Sequence, residues 1–385
     1  MKSFMIPPEI QFSEDSLAYL SSLQGKKAVL VTGGSSMKRF GFLDKAQDLL
    51  KEAGIESIVI DGVEPNPSVE TVIEGKEKML DFKPDWVIAI GGGSALDAAK
   101  IMWAFYEHPE LNFEDIIEVG SIPELRNKAK FIAIPSTSGT ASEITAFSVI
   151  TDTEKKIKYP IVSPEIIPDV AIVDPQIPAT MPSHITANTG MDVMAHAVES
   201  LVSTNASDYT DPYAVKAIDL VFKYLPKAVE NGDDMVAREK MHNASTMAGM
   251  AFSNSSLGII HSLAHKIGGE LHITHGLANA ILLPYVIEFN YEAAKEKFEY
   301  IEDYLGIDSL ARAIQKINKK VGIPSSFNNI DWLEFTDQEF EKILDRMSEN
   351  ALEDPCTLTN PEEPSVEDMR EIYKKAYYGE NLVKV

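Results

Sequence analysis

Cysteine is nearly absent. Cys356 is the only one in 385 residues. That excludes an internal disulfide and a thiolate metal cluster, and it points to a reducing, cytoplasmic setting. Long hydrophobic runs are missing too. Nothing approaches the roughly 20 apolar residues of a membrane span, and the first residues, MKSFMIPPEIQFSEDSL, lack the apolar stretch of a signal peptide. Basic residues are scarce, 35 against 59 acidic ones, for a formal net charge of −24. Such a surface repels nucleic acid and anionic lipid, so neither is expected as a partner. Internal repeats and low-complexity tracts are also lacking.

What is present reads as an ordinary globular chain, 44% hydrophobic and 24% charged. Its length predicts two domains. Short apolar runs at 27–32, 56–60, 86–90 and 131–134 predict buried strands, and the segments 42–53, 69–82 and 95–106 between them have helical spacing. Alternation of this kind predicts βαβ units around a parallel sheet. Residues 146–173 read as a β-rich excursion. After Pro182 the pattern turns helical, with amphipathic segments at 212–229, 236–254 and 366–378. The expected division is an α/β dinucleotide-binding domain over 1–183 and an all-helical, metal-binding domain over 184–385.

Three predicted strands end in glycine and hydroxyl residues. Gly91, Gly92, Gly93 and Ser94 stand between a strand and a helix, where free backbone N–H groups can hold a diphosphate. The sequence is not GxGxxG, and a plain tight turn would also explain it. A second polar strand end, with Thr137, Ser138, Gly139 and Thr140, can line the same crevice outside the sheet. A third, Gly33, Gly34, Ser35 and Ser36 followed by Lys38 and Arg39, bears on cofactor choice. An acid after this strand would select the ribose 2′-hydroxyl of NAD(H). Small residues and cations suit the 2′-phosphate of NADP(H), which is therefore favoured over NAD(H).

Histidine is concentrated in one place. Four of the eight lie within residues 261–276, HSLAHKIGGELHITHG. His261 and His265 share a helical face. Gly268 and Gly269 are then expected to break the helix, with His275 in the following loop or at the next helix start. Upstream, Asp192 and His196 are again four apart, in an apolar helical segment where an unpaired carboxylate is costly. Together Asp192, His196, His261 and His275 offer one carboxylate and three imidazoles, a set suited to Fe²⁺, with Zn²⁺ the other choice. Phe147, Met194, Phe252 and Leu257 suit a small aliphatic substrate, although core packing explains them equally well.

At this point the motifs GGGSALDAAK (91–100), IPSTSGTASEIT (134–145), TGMDVMAHAVE (189–199) and HSLAHKIGGELHITHGLANAILLP (261–284) carry a family likeness. The chain resembles the iron-containing (group III) alcohol dehydrogenases, and most closely butanol-dehydrogenase-like members. The resemblance implies a nucleotide-binding α/β domain, an all-helical domain, an active site in the cleft between them, and often a homodimer. It implies that Asp192, His196, His261 and His275 are the metal ligands, and that His265 is a non-ligand histidine handling a proton near nicotinamide and substrate. It further implies that Gly91 to Ser94 hold the pyrophosphate, that Thr137, Ser138 and Thr140 contact the cofactor, and that Lys158 reaches cofactor ribose. Gly33 departs from the acid of NAD-specific members. The expected reaction is reversible hydride transfer between NADP(H) and a small primary alcohol or aldehyde. Glycerol or polyol dehydrogenases and dehydroquinate-synthase-like lyases share the superfamily but usually lack the ligand corresponding to His196. A metal-dependent hydrolase would need no nicotinamide at all.

Overall fold

The computed structural model describes residues 3–383 and divides into two compact units, Phe4–Thr180 and the chain from Met181 onward. The first holds strands β1 (Glu9–Phe12), β2 (Lys27–Gly33), β3 (Glu56–Val63), β4 (Trp86–Gly91), β5 (Lys130–Pro135), β6 (Phe147–Asp152), β7 (Ile157–Val162) and β8 (Val170–Val173). Its α-helices are α1 (Ser36–Arg39), α2 (Phe42–Glu52), α3 (Val69–Phe82) and α4 (Gly93–Glu107). Six strands form one parallel sheet in the order β1-β8-β5-β4-β2-β3.

Both faces of this sheet are covered, which explains the continuous apolar runs of its central strands. Val29, Val87, Ala89 and Phe131 pack into a core with α3 and α4. The intervening Leu30, Ile88, Ile90 and Ile132 pack into another with α2. Alternation of side chains along a strand thus feeds two hydrophobic layers from one sequence.

Two features depart from the sequence reading. The 146–173 region is not one β-rich excursion. β6 and β7 pair with each other, antiparallel, as a separate ribbon, whereas β8 returns to the main sheet between β5 and β1. β1 was not expected at all. It is four residues long and only half-buried, too short for a periodicity signal, and its pairing with β8 creates it.

The second unit is helical: α5 (Ser183–Val202), α6 (Asp211–Glu230), α7 (Met235–Ser255), α8 (Ile259–Leu271), α9 (His275–Asn290), α10 (Lys295–Leu305), α11 (Leu310–Val321), α12 (Asp337–Leu352) and α13 (Val366–Tyr378). α5 and α9 are buried almost all round, as expected of central helices. Gly268 and Gly269 do not break α8. The helix runs through them and ends at His272, which takes the left-handed conformation at φ 53°. Two helical glycines cost about 1 kcal/mol each. Burying Ile267 and Leu271 on the same helix, at roughly 1.5–3 kcal/mol each, outweighs that. His275 is the first residue of α9.

Candidate metal centre and nucleotide site

α5, α8 and α9 bring Asp192, His196, His261 and His275 to one point. One ligand atom from each lies within 4.8 Å of the others. Asp192 Oδ1 is 3.6 Å from His275 Nε2 and 4.0 Å from His261 Nε2. Asp192, His196 and His261 are buried; the His275 side chain is 40% accessible. Burial works against ionisation of Asp192, but the imidazoles of His196, His275 and His261 and the Asn279 amide hold its pKa below the ordinary carboxylate value. Burial pushes His261 down to about 4, so its ring is neutral and able to ligate at neutral pH.

The donor set fits a cation. Asn279 Nδ2 is 2.6 Å from Asp192 Oδ1, 3.1 Å from His275 Nε2 and 3.3 Å from His261 Nε2. A carboxylate oxygen, which can only accept, and two ring nitrogens, which accept in one tautomer, thus converge on one amide nitrogen that has only two hydrogens. A divalent ion satisfies such a convergence of lone pairs better than an amide does. Phe252 stacks on the His196 ring at 4.4 Å between centroids and shields that side of the cluster. Met194 is buried in the helical core.

His265 stands beside this set without joining it. Its ring stacks on His275 at 5.4 Å, and its Nδ1 meets Asp354 Oδ2 at 3.0 Å. Lys266 Nζ donates to the same carboxylate at 2.8 Å. Burial opposes ionisation of Asp354, but the His265 hydrogen bond and the Lys266 ammonium hold its pKa well below the usual range. Cys356 lies next to Asp354, and burial pushes its thiol well up, so it offers no thiolate at neutral pH. His272 is exposed and caps α8.

Three residues around the centre were not singled out in the sequence: Glu199, Asn279 and Asp354. Two left a signal. Glu199 continues the face of Asp192 and His196 at i+7 on α5, and Asn279 follows His275 at i+4 on α9. Asp354 comes from a proline-rich loop far downstream, and no local pattern announces its contact with His265.

In the first unit the polar ends of β2, β4 and β5 lie side by side, because these strands are neighbours in the sheet. Ser136 N donates to Gly91 O at 2.7 Å, tying two of the loops together. A Cβ on Gly93 would stand 2.9 Å from Thr140 Cγ2, and Gly92 faces Thr137. The glycines thus allow a close approach between loops at the start of α4, which has no side-chain cap. Helix starts of this kind bind phosphate. Ser138 is buried.

On the third loop Gly34, Ser35 and Lys38 are exposed, while Gly33 and Ser36 are half-buried. A Cβ at Gly33 would lie 2.7 Å from the carbonyl oxygen of Val63. Lys158 is on β7, outside the main sheet, and its Nζ donates to Asn66 Oδ1 at 2.7 Å. Asp97 accepts from Ser142 Oγ and Val149 N, and Lys100 Nζ donates to the carbonyls of Thr145 and Phe147. These ties hold the loop after β5 and the start of β6 against α4.

A parallel α/β unit with phosphate-type loops and a helical unit with a one-carboxylate, three-imidazole centre define a metal-dependent oxidoreductase. The sequence profile of the iron-containing alcohol dehydrogenase matches residues 7–175, and that of the Fe-containing alcohol dehydrogenase family, C-terminal, matches 186–377. The chain belongs to the iron-containing alcohol dehydrogenase family. It is 51% identical to an NADPH-dependent butanol dehydrogenase of Clostridium saccharobutylicum, over 98% of this chain and 99% of that one. It is 43% identical to an aldehyde-alcohol dehydrogenase of Streptococcus pneumoniae over 98% of this chain, and spans 46% of that longer protein. Among solved structures, an iron-containing alcohol dehydrogenase from Thermococcus thioreducens superposes with a TM-score of 0.90 at 39% identity, covering 98% of this chain and 100% of that one. Among the described residues, no helix is long and apolar enough to cross a membrane.

Proposed function

We propose that this protein interconverts short primary alcohols and aldehydes, of butanol size, with NADP(H) and Fe²⁺, as a cytoplasmic homodimer. The observation that carries the reading is the convergence of Asp192, His196, His261 and His275. The butanol dehydrogenase that matches end to end supports the substrate class and the cofactor. Gly33 supports NADP(H) as well: the Val63 carbonyl fills the space an NAD-selecting acid would need.

When bound, the divalent ion supplies a Lewis acid at the substrate oxygen and the nicotinamide supplies hydride chemistry. The chain does the rest. Asp192 and the three imidazoles would hold the ion, with Gly91 to Ser94 assigned to the cofactor pyrophosphate and Thr137, Ser138 and Thr140 to further cofactor contacts. Lys158 is assigned to ribose, and Gly34 to Ser36 with Lys38 to the 2′-phosphate. His265 moves the proton: Asp354 fixes Nδ1 as the protonated nitrogen, so Nε2 exchanges a proton between substrate oxygen and water.

The test is a spectrophotometric screen of C2 to C6 aldehydes with NADPH and NADH, on protein loaded with Fe²⁺ or Zn²⁺. The expected result is highest kcat/KM for butanal with NADPH and Fe²⁺, with NADPH ahead of NADH by at least about tenfold, the worth of roughly 1.4 kcal/mol. No nicotinamide oxidation with any aldehyde, and no quenching of NADPH fluorescence, would leave the hydrolase reading in its place.

A further inference from the structure

Glu199 is a buried acid with no place in the reaction just described. Its side chain is 2% accessible, and it lies one turn after His196 on α5. Its two oxygens serve different partners. Oε1 accepts from the backbone N–H of Ile260 at 2.6 Å and of His261 at 3.4 Å. Oε2 sits against Nδ1 of the His261 ring. The opposite ring nitrogen, Nε2, faces the cluster, 3.3 Å from Asn279 Nδ2 and 4.0 Å from Asp192 Oδ1.

α8 has no cap of its own, because its N-cap is Gly258. Two distant side chains do that work: Glu199, and Asn360, whose Oδ1 accepts from Ile259 N at 3.3 Å. A Cβ at Gly258 would come within 3.0 Å of both side chains. The carboxylate is thus held rigidly at the helix start, facing one nitrogen of one ring.

We propose that Glu199 is a positioning residue for the metal: it fixes His261 in the Nδ1–H tautomer and so leaves the Nε2 lone pair for the ion. The assignment rests on His261 being a ligand, as proposed above. A neutral imidazole carries one N–H, and the partner of one nitrogen decides the state of the other. Burial raises the Glu199 carboxyl to about 8, against the Ile260 and His261 N–H groups that favour its charged form. A neutral ring that gives its Nε2 lone pair to a cation keeps its one proton on Nδ1, and Glu199 then accepts on both sides, from the backbone N–H groups on one oxygen and from the ring N–H on the other.

A glutamine of nearly the same size cannot do both. If its amide oxygen keeps the Ile260 N–H, its NH₂ group faces Nδ1, which must then be bare, and the ring proton moves to Nε2 and blocks the lone pair. If the amide oxygen turns to the ring, NH₂ opposes two backbone N–H donors. Glu199→Gln therefore separates tautomer control from simple helix capping.

The experiment uses the full chain, stripped of metal and titrated with Co²⁺, whose visible absorption reports site occupancy. Glu199→Gln is expected to melt near the wild-type apoprotein while its Co²⁺ Kd rises roughly 10–100-fold, the usual cost of losing a partner behind a metal-binding histidine. A folded Glu199→Gln with an unchanged Kd overturns the assignment and leaves Glu199 as a helix cap. Should that variant not fold, ¹⁵N-histidine spectra of the Zn²⁺-loaded wild type decide the matter: a proton on Nδ1 of His261 supports the assignment, and a bare Nδ1 overturns it. A wild type that takes up no Co²⁺ overturns the metal site itself, and this assignment with it.

Discussion

His261 and His265 are one turn apart on α8, yet their Nδ1 atoms meet different carboxylates, Glu199 and Asp354. Equal spacing on the helix therefore conceals different work. His261 is buried in the cluster, whereas the His265 side chain is 41% accessible and can reach water. Replacing His265 with Asn is expected to lower kcat by roughly 10²–10⁴-fold, the usual contribution of a general acid or base, with metal content unchanged by elemental analysis. Loss of the metal in that variant would move His265 into the ligand set. His242, on α7, belongs to stability instead. Burial pushes it down to about 3, against roughly 6.5 in the unfolded chain. Between those values the unfolded state binds a proton that the folded state refuses. The stabilisation is complete above about pH 6.5 and is lost as pH falls toward 3, with a slope of up to about 1.4 kcal/mol per pH unit. Urea unfolding at pH 7 and pH 5 should show that slope reduced in His242→Gln; an unchanged slope would contradict the assignment.

At the scale of elements, the centre exists because α5 and α9 touch. α9 begins at His275, and a Cβ on the next residue, Gly276, would stand 2.3 Å from the backbone oxygen of Asn188 on α5. Backbone cannot step aside as a side-chain tip can. Gly276→Ala should force the helices that carry His275 and Asp192 apart, at a cost of about 1–3 kcal/mol, with weakened Co²⁺ binding. Gly190→Ala is the contrasting case. Its Cβ would also come within 2.3 Å of a neighbour, but that neighbour is Leu225 Cδ1, the end of a side chain. A smaller loss of stability and retained Co²⁺ binding are expected there. Thermal melts and Co²⁺ titrations of the two variants in parallel check the ranking, and equal behaviour would show that the α5–α9 approach is not limiting. On the first unit the same logic governs Gly33, whose missing side chain is required by the Val63 carbonyl.

At the scale of the whole molecule, all four candidate ligands lie in the unit that starts at Met181 and join three of its helices. A bound ion therefore stabilises the folded state by mass action, about 2.7 kcal/mol at a hundredfold excess over Kd. Chelation should lower the melting temperature by roughly 5–10 °C for a unit of this size, reversed by adding Fe²⁺ or Zn²⁺. A melting curve that ignores verified metal removal would show that the cluster does not bind an ion tightly.

Much of this was legible in order along the chain, because helical and strand periodicities are local. The spacing of Asp192 to His196, and of His261 to His265, places side chains on one face whatever the rest of the fold does. The apolar runs at 86–90 and 131–134 announce strands because both their faces are buried. Tertiary structure alone decided the rest. β8 finds its place by pairing with β5, and β1 by pairing with β8, and α8 continues through Gly268 and Gly269 because the burial of Ile267 and Leu271 outweighs the local cost. Glu199, Asn279 and Asp354 reach their histidines across the fold, or across a helix turn that looked apolar. The sequence by itself determined which groups are candidates to hold a metal and a dinucleotide, since that is a matter of residue type and local spacing. Which nitrogen of each ring faces the cluster, and which histidine stands outside it, depends on partners that only folding brings within hydrogen-bond distance.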